Sequence, residues 1–120
     1  VTGTAEECYN QIAVDLQGAG GSMRLGVYDD ESDTPKNLLA ETASLSSATG
    51  YGWNELDEFE LTTNVTWLAA QFSSTASKTK GQIIGANAYR YENHSFGAFS
   101  NPFSQDGAGT TPFTIKLGHS

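Results

Sequence analysis

Three acidic residues at alternate positions, Asp29, Glu31 and Asp33, stand with Asp30 in a short run that also holds Ser32, Thr34, Pro35 and Asn37. Hard oxygen ligands at such spacing are what calcium takes. The run lacks the central Gly and the distal Glu of an EF-hand loop, and acidic turns are commonly just solvated. A solvated turn is therefore the first reading and calcium the alternative. A second set of candidates is aromatic: Trp53, Trp67, Tyr89, Tyr91, Phe96, Phe99 and Phe103. The face of an aromatic ring offers an apolar surface to the C–H groups of a pyranose. Trp67 sits inside an apolar run and is expected in the core. Tyr91, Phe96, Phe99 and Phe103 lie in or beside a long Gly-containing loop and are the candidates for ligand binding. Packing of that loop onto its own domain is the competing reading.

Catalysis finds little support. A Ser, His and Asp set would need His94 or His119, the only histidines, held by a carboxylate beside an activated hydroxyl, and neither sits in a recognisable motif. No GxSxG, HExxH, P-loop or dinucleotide fingerprint occurs, so the expectation is a protein that is not an enzyme and carries no cofactor unless calcium. The acid pairs Glu55 with Asp57 and Glu58 with Glu60 read as the wet face of a strand; a glycosidase would need two carboxylates converging across a cleft. Asn64 with Thr66 and Asn93 with Ser95 satisfy the N-glycosylation pattern, which a chain rich in Ser and Thr also produces by chance. Cys8 is the single cysteine, so it has no internal disulfide partner and no CxxC site; a buried small hydrophobe is expected there.

Composition narrows the partners. With 6 Lys and Arg against 14 Asp and Glu, the net charge of −8 opposes binding to phosphate backbones and to anionic membrane surfaces. No apolar run approaches the roughly 18 residues that span a bilayer, so no membrane insertion is expected. At 120 residues the chain is one domain's worth, and 13 Gly with abundant Ser, Thr and aromatics point to strands and turns.

The elements that would position these residues follow from alternation. Ile12, Val14 and Leu16 alternate with polar neighbours over residues 8–17, and Met23, Leu25 and Val27 do so over 22–28, the period of a half-buried strand. Residues 29–37 form an acidic turn, after which 38–45 resumes a strand-length run. Over 53–61, Trp53, Phe59 and Leu61 share a face opposite a largely acidic or polar one. Both faces of 65–74 are apolar, which predicts a central strand. Residues 82–91 give a further strand, 93–109 an aromatic and Gly-rich loop, and 112–117 a last strand with Phe113, Ile115 and Leu117 on one face. About seven strands without a credible helix predict an all-β antiparallel β-sandwich of the jelly-roll type. Met23, Leu25, Val27, Trp67, Phe113 and Ile115 are the expected shared core.

Three segments, MRLGVYDDESDTPKNLLAETASL, TWLAAQFSS and YRYENHSFGAFSNPF, resemble a jelly-roll-like β-sandwich accessory module found in phage virion structural proteins and in bacterial secreted and surface proteins. The resemblance covers most of the chain from Ile12 onward and transfers no catalytic residue. It implies a non-enzymatic structural or surface module of a multi-copy assembly, extracellular or on a virion, whose partners are copies of itself or other assembly subunits. The alternative is a carbohydrate-binding module that uses loop 91–103 to contact glycans. Modules of this type usually place a strand ahead of the one matched by residues 8–17. An open sheet edge is therefore expected, with residues 1–7 as a flexible or partner-contacting arm.

Overall fold

Alternation along two runs of chain becomes two facing strands, and the domain is assembled around them. The computed structural model describes residues 8–18, 20–32, 34–46, 50–60, 66–73, 78–79, 89–92, 95–109 and 115–118; none of these is helical and every strand pairing is antiparallel. The first run is β1 (Cys8–Gly18), the hub of a five-stranded sheet. The second is β2 (Ser22–Asp30), the hub of a four-stranded sheet.

Around β2, the segments β3 (Pro35–Glu41) and β4 (Leu45–Ser46) share one flank, and β7 (Thr66–Phe72) takes the other in unbroken register from Met23↔Phe72 to Asp29↔Thr66. Around β1, β5 (Gly50–Tyr51) and β6 (Asn54–Glu60) lie on one flank, and β8 (Lys78–Thr79) and β11 (Ile115–Gly118) on the other. The flanks are fixed because Gln11 pairs with both Glu55 and Gly118, and Leu16 with both Gly50 and Thr79. A separate ribbon joins β9 (Tyr89–Tyr91) to β10 (Gly107–Gly109). The described segments therefore number eleven rather than about seven. Two strands are interrupted, at 42–44 and at 52–53, and β10 is a short strand within the stretch read as loop.

Between the sheets lie Ile12, Val14 and Leu16 from β1, Met23, Leu25 and Val27 from β2, and Leu56 from β6, all buried. Leu68, Ala70, Phe72, Ile115 and Leu117 close around them. Met23, Leu25, Val27 and Ile115 thus share a core as their parity requires, while Phe113 is outside the described residues.

Three expectations are corrected. Trp67 is not in this core: it stands opposite Tyr28 across the β2–β7 ladder, and cross-strand partners share a face, so it lies on the outer side, where its indole N–H donates to Asp30 Oδ1 at 2.8 Å. In β6 the buried core residue is Leu56, of the parity read as polar, while Phe59, on the face read as apolar, is partly buried and packs against the same core. A register irregularity between the Tyr9 and Gln11 pairings offsets the two halves of the strand, and Trp53 is left 48% exposed. Cys8 is exposed, because it pairs with exposed Glu60 at the end of β1, beyond the core residues that begin at Ile12. The centre of the four-stranded sheet is β2; among the described residues β7 pairs with β2, and Gln71 on the outer side of β7 meets the loop at Gly97.

Candidate functional site

The outer side of β2 is set by the residues that alternate with its core set: Arg24, Gly26 and Tyr28. Exposed strands commonly turn such positions to water, yet Gly26 is buried and Tyr28 is 1% exposed. The cover is the segment 95–104, which the β9–β10 pairing closes at its base and returns over the β3–β2–β7 surface.

Most of the contacts involve main chain. Gln71, in β7 beside Arg24, reads Gly97 twice: its Nε2 donates to the Gly97 carbonyl and its Oε1 accepts from the Gly97 N–H at 3.1 Å. Glu41 Oε1 accepts from the Phe99 N–H at 3.3 Å and from Arg24 at 3.0 Å, so one carboxylate oxygen ties loop, β3 and β2 together. The Tyr28 hydroxyl donates to the Ser100 carbonyl at 2.6 Å. At the margin of β3, Asn101 Oδ1 accepts from the Leu38 N–H and the Phe103 N–H donates to the Lys36 carbonyl at 2.8 Å, which satisfies edge groups that would otherwise invite another strand. Glu92 holds the loop from its far end, accepting from the Ser104 N–H and the Ser100 hydroxyl.

The rings complete the cover. Phe99 and Phe103 meet Tyr28 edge to face, with centroids 6.1 and 5.4 Å away, the arrangement that places the positive ring edge on the negative face. Phe99 also lies over Gly26, where a Cβ would stand 2.9 Å from its Cε2. A glycine in the interior of an alternating strand is thus explained by the close approach of another element. Burial pushes the Tyr28 phenol well above its usual pKa, and the carboxylates of Glu92 and Glu41 add to the rise.

Of the aromatic candidates, Phe96, Phe99 and Phe103 are each partly buried in this cover, and Tyr91 forms the β9 end of the ribbon with its backbone paired to Gly107. The acidic turn is held by its own chemistry: Asp29 accepts from the Asn37 N–H at 2.7 Å and the Asn37 side-chain amide at 3.1 Å, while Glu31 and Thr34 exchange backbone hydrogen bonds. Glu31 also lies 3.9 Å from Lys36, an exposed pair of little energetic weight. Asp33 is outside the described residues, as are Asn64, Asn93, His94, His119 and residues 1–7. Among the described residues no three His, Cys, Asp or Glu side chains are grouped so as to hold a metal ion. Glu55, Asp57, Glu58 and Glu60 are exposed along β6, as a wet strand face requires.

The clamping residues Tyr28, Glu41, Gln71 and Glu92 carry no local motif, and their partners are many residues away in sequence. Gly26 was the one visible signal. Neither a protein-family model, nor a curated protein, nor a solved structure matches the chain.

Proposed function

We propose that this domain is a non-enzymatic structural or surface module of a multi-copy assembly, outside the cell or on a virion. The observation that carries the reading is the clamped cover over β3–β2–β7. The stretch richest in aromatics is turned inward onto Gly26 and Tyr28 and fixed by hydrogen bonds to its main chain, the construction of a rigid wall rather than of a moving lid. Rigidity of this kind suits a part that must present the same surface in every copy. The acidic net charge keeps separate copies apart until apolar contact or bound cations offset it. Calcium held near Asp29, Glu31 and Asp33 is one such cation.

The test is the native assembly itself, imaged with its neighbours. The expected result is repeated copies in contact over more than about 1,200 Å² per interface; contacts below about 800 Å² in total would move the protein to a monomeric binding role. A second reading, glycan contact through loop 91–103, is favoured by the partial exposure of Phe96, Phe99 and Phe103. A glycan array without a hit removes it.

A further inference from the structure

We infer that the outer face of the five-stranded sheet, on the other side of the molecule from the clamped loop, carries a sugar-stacking site centred on Trp53, with Gln11 and Glu55 at its rim. The inference does not rest on the assembly reading or on loop 91–103. Trp53 is the one large hydrophobic side chain exposed among the described residues, at 48%, and it is not loose. It follows Gly52 at the break between β5 and β6, and its Cζ3 and Cη2 reach β11, where a Cβ on Gly118 would stand 2.8 Å from both. Those strands occupy opposite flanks of β1, so the indole crosses β1. Neighbouring strands are about 4.8 Å apart, and a side chain that spans such a distance laterally lies down on the sheet instead of standing away from it. The ring thus rests on the sheet, and 48% of the residue stays accessible to solvent.

The surroundings supply the rest of a sugar site. Asn54 pins the turn that carries the ring, its amide donating to the Gly52 carbonyl at 3.1 Å and the Ile12 carbonyl at 3.4 Å. Around Gly52 the space is open. Gln11 Oε1 lies 3.5 Å from the same Cβ position on Gly118, beside the indole, and exposed Glu55 is the cross-strand partner of Gln11 on this face. An immobilised ring flanked by an amide and a carboxylate matches the C–H face of a pyranose bordered by its hydroxyls. A chain of net charge −8 repels anionic sugars, so the ligand class is a neutral pyranoside oligosaccharide.

The experiment titrates the full chain with neutral hexasaccharides of the cello, xylo, chito and malto series, read by tryptophan fluorescence and calorimetry. At least one should bind saturably. Trp53→Ala should weaken that binding about tenfold, and Trp53→Tyr should keep it within about threefold. Gly118→Ala retains the indole but displaces it, and should also weaken binding; circular dichroism of each variant checks the fold. Phe99→Ala should leave the affinity unchanged. No binding to any of the four, binding indifferent to Trp53→Ala in a folded variant, or binding lost only in Phe99→Ala would each overturn the site, and the last would transfer it to loop 91–103.

Discussion

Gly26 shows how much one missing side chain decides. A methyl group there would stand 2.9 Å from Phe99 Cε2 and 3.0 Å from Cδ2, and Phe99 is held over the site by its backbone N–H bond to Glu41 and by the contact of its ring with Tyr28. Gly26→Ala is expected to cost about 1 to 3 kcal/mol, the range for overfilling a packed site, measured by urea unfolding. Increased amide exchange at Phe99 would show that the loop has lifted. Tyr28 offers a pH test at the same scale. Its phenol is held above the ordinary value by burial and by Glu92 and Glu41, so the protonated form stabilises the fold. That contribution is complete below about pH 10, where the unfolded phenol titrates, and is lost as pH rises toward the folded value. Stability should therefore fall above about pH 10 more steeply in the native sequence than in Tyr28→Phe, as melting curves between pH 8 and 11 would reveal. Near neutrality the same variant should be less stable by about 0.5 to 1.5 kcal/mol for the lost bond to Ser100.

At the level of elements, the ladder between β2 and its β3–β4 neighbour survives a break because a side chain stands in for main chain. Thr42 is 3% exposed; its N–H donates to the Leu25 carbonyl at 2.8 Å and its Oγ1 accepts from the Leu25 N–H at 3.1 Å. Thr42→Val keeps the shape and removes the acceptor, leaving a buried N–H without it. The expected cost is about 1 to 3 kcal/mol by chemical denaturation, against near neutrality for Thr42→Ser. The loop is joined to the sheet as an element too. Gln71→Leu should abolish both bonds to Gly97 and raise exchange at its amide by at least about tenfold, while amides of β1, on the other sheet, keep their protection. Equal loss of protection at β1 would mean that the loop and the core unfold as one unit.

Over the whole molecule, the two hubs face each other and one core serves both sheets. Leu25→Ala removes a fully buried side chain from its middle and should cost about 2 to 5 kcal/mol. Because the core is shared, near-ultraviolet and far-ultraviolet circular dichroism should report the same transition. Part of the charge of −8 is carried by the exposed acids Glu55, Asp57, Glu58 and Glu60 of β6, and charged side chains along a strand oppose its pairing with a further strand. The covering segment gives similar protection to the margin of β3 through Asn101 and Phe103.

By itself the sequence determined the all-β antiparallel class, the strands β1, β2 and β7, and the core identity of Ile12, Leu25 and Val27. A period of two assigns alternate residues to one face whatever that face meets. It also marked the wet acids of β6. Only the tertiary structure decided which sheet face each aromatic serves. Trp67 and Leu56 were misplaced because parity says which residues stand together, but not which side is inward once a ladder shifts register or a loop covers the outer side. Gln71 with Gly97, Tyr28 with Ser100 and Glu41 with Phe99 are separated by 26, 72 and 58 positions. Those side chains resemble ordinary strand polar residues until the chain returns over them, so the clamp exists only where β9 and β10 close the loop at its base.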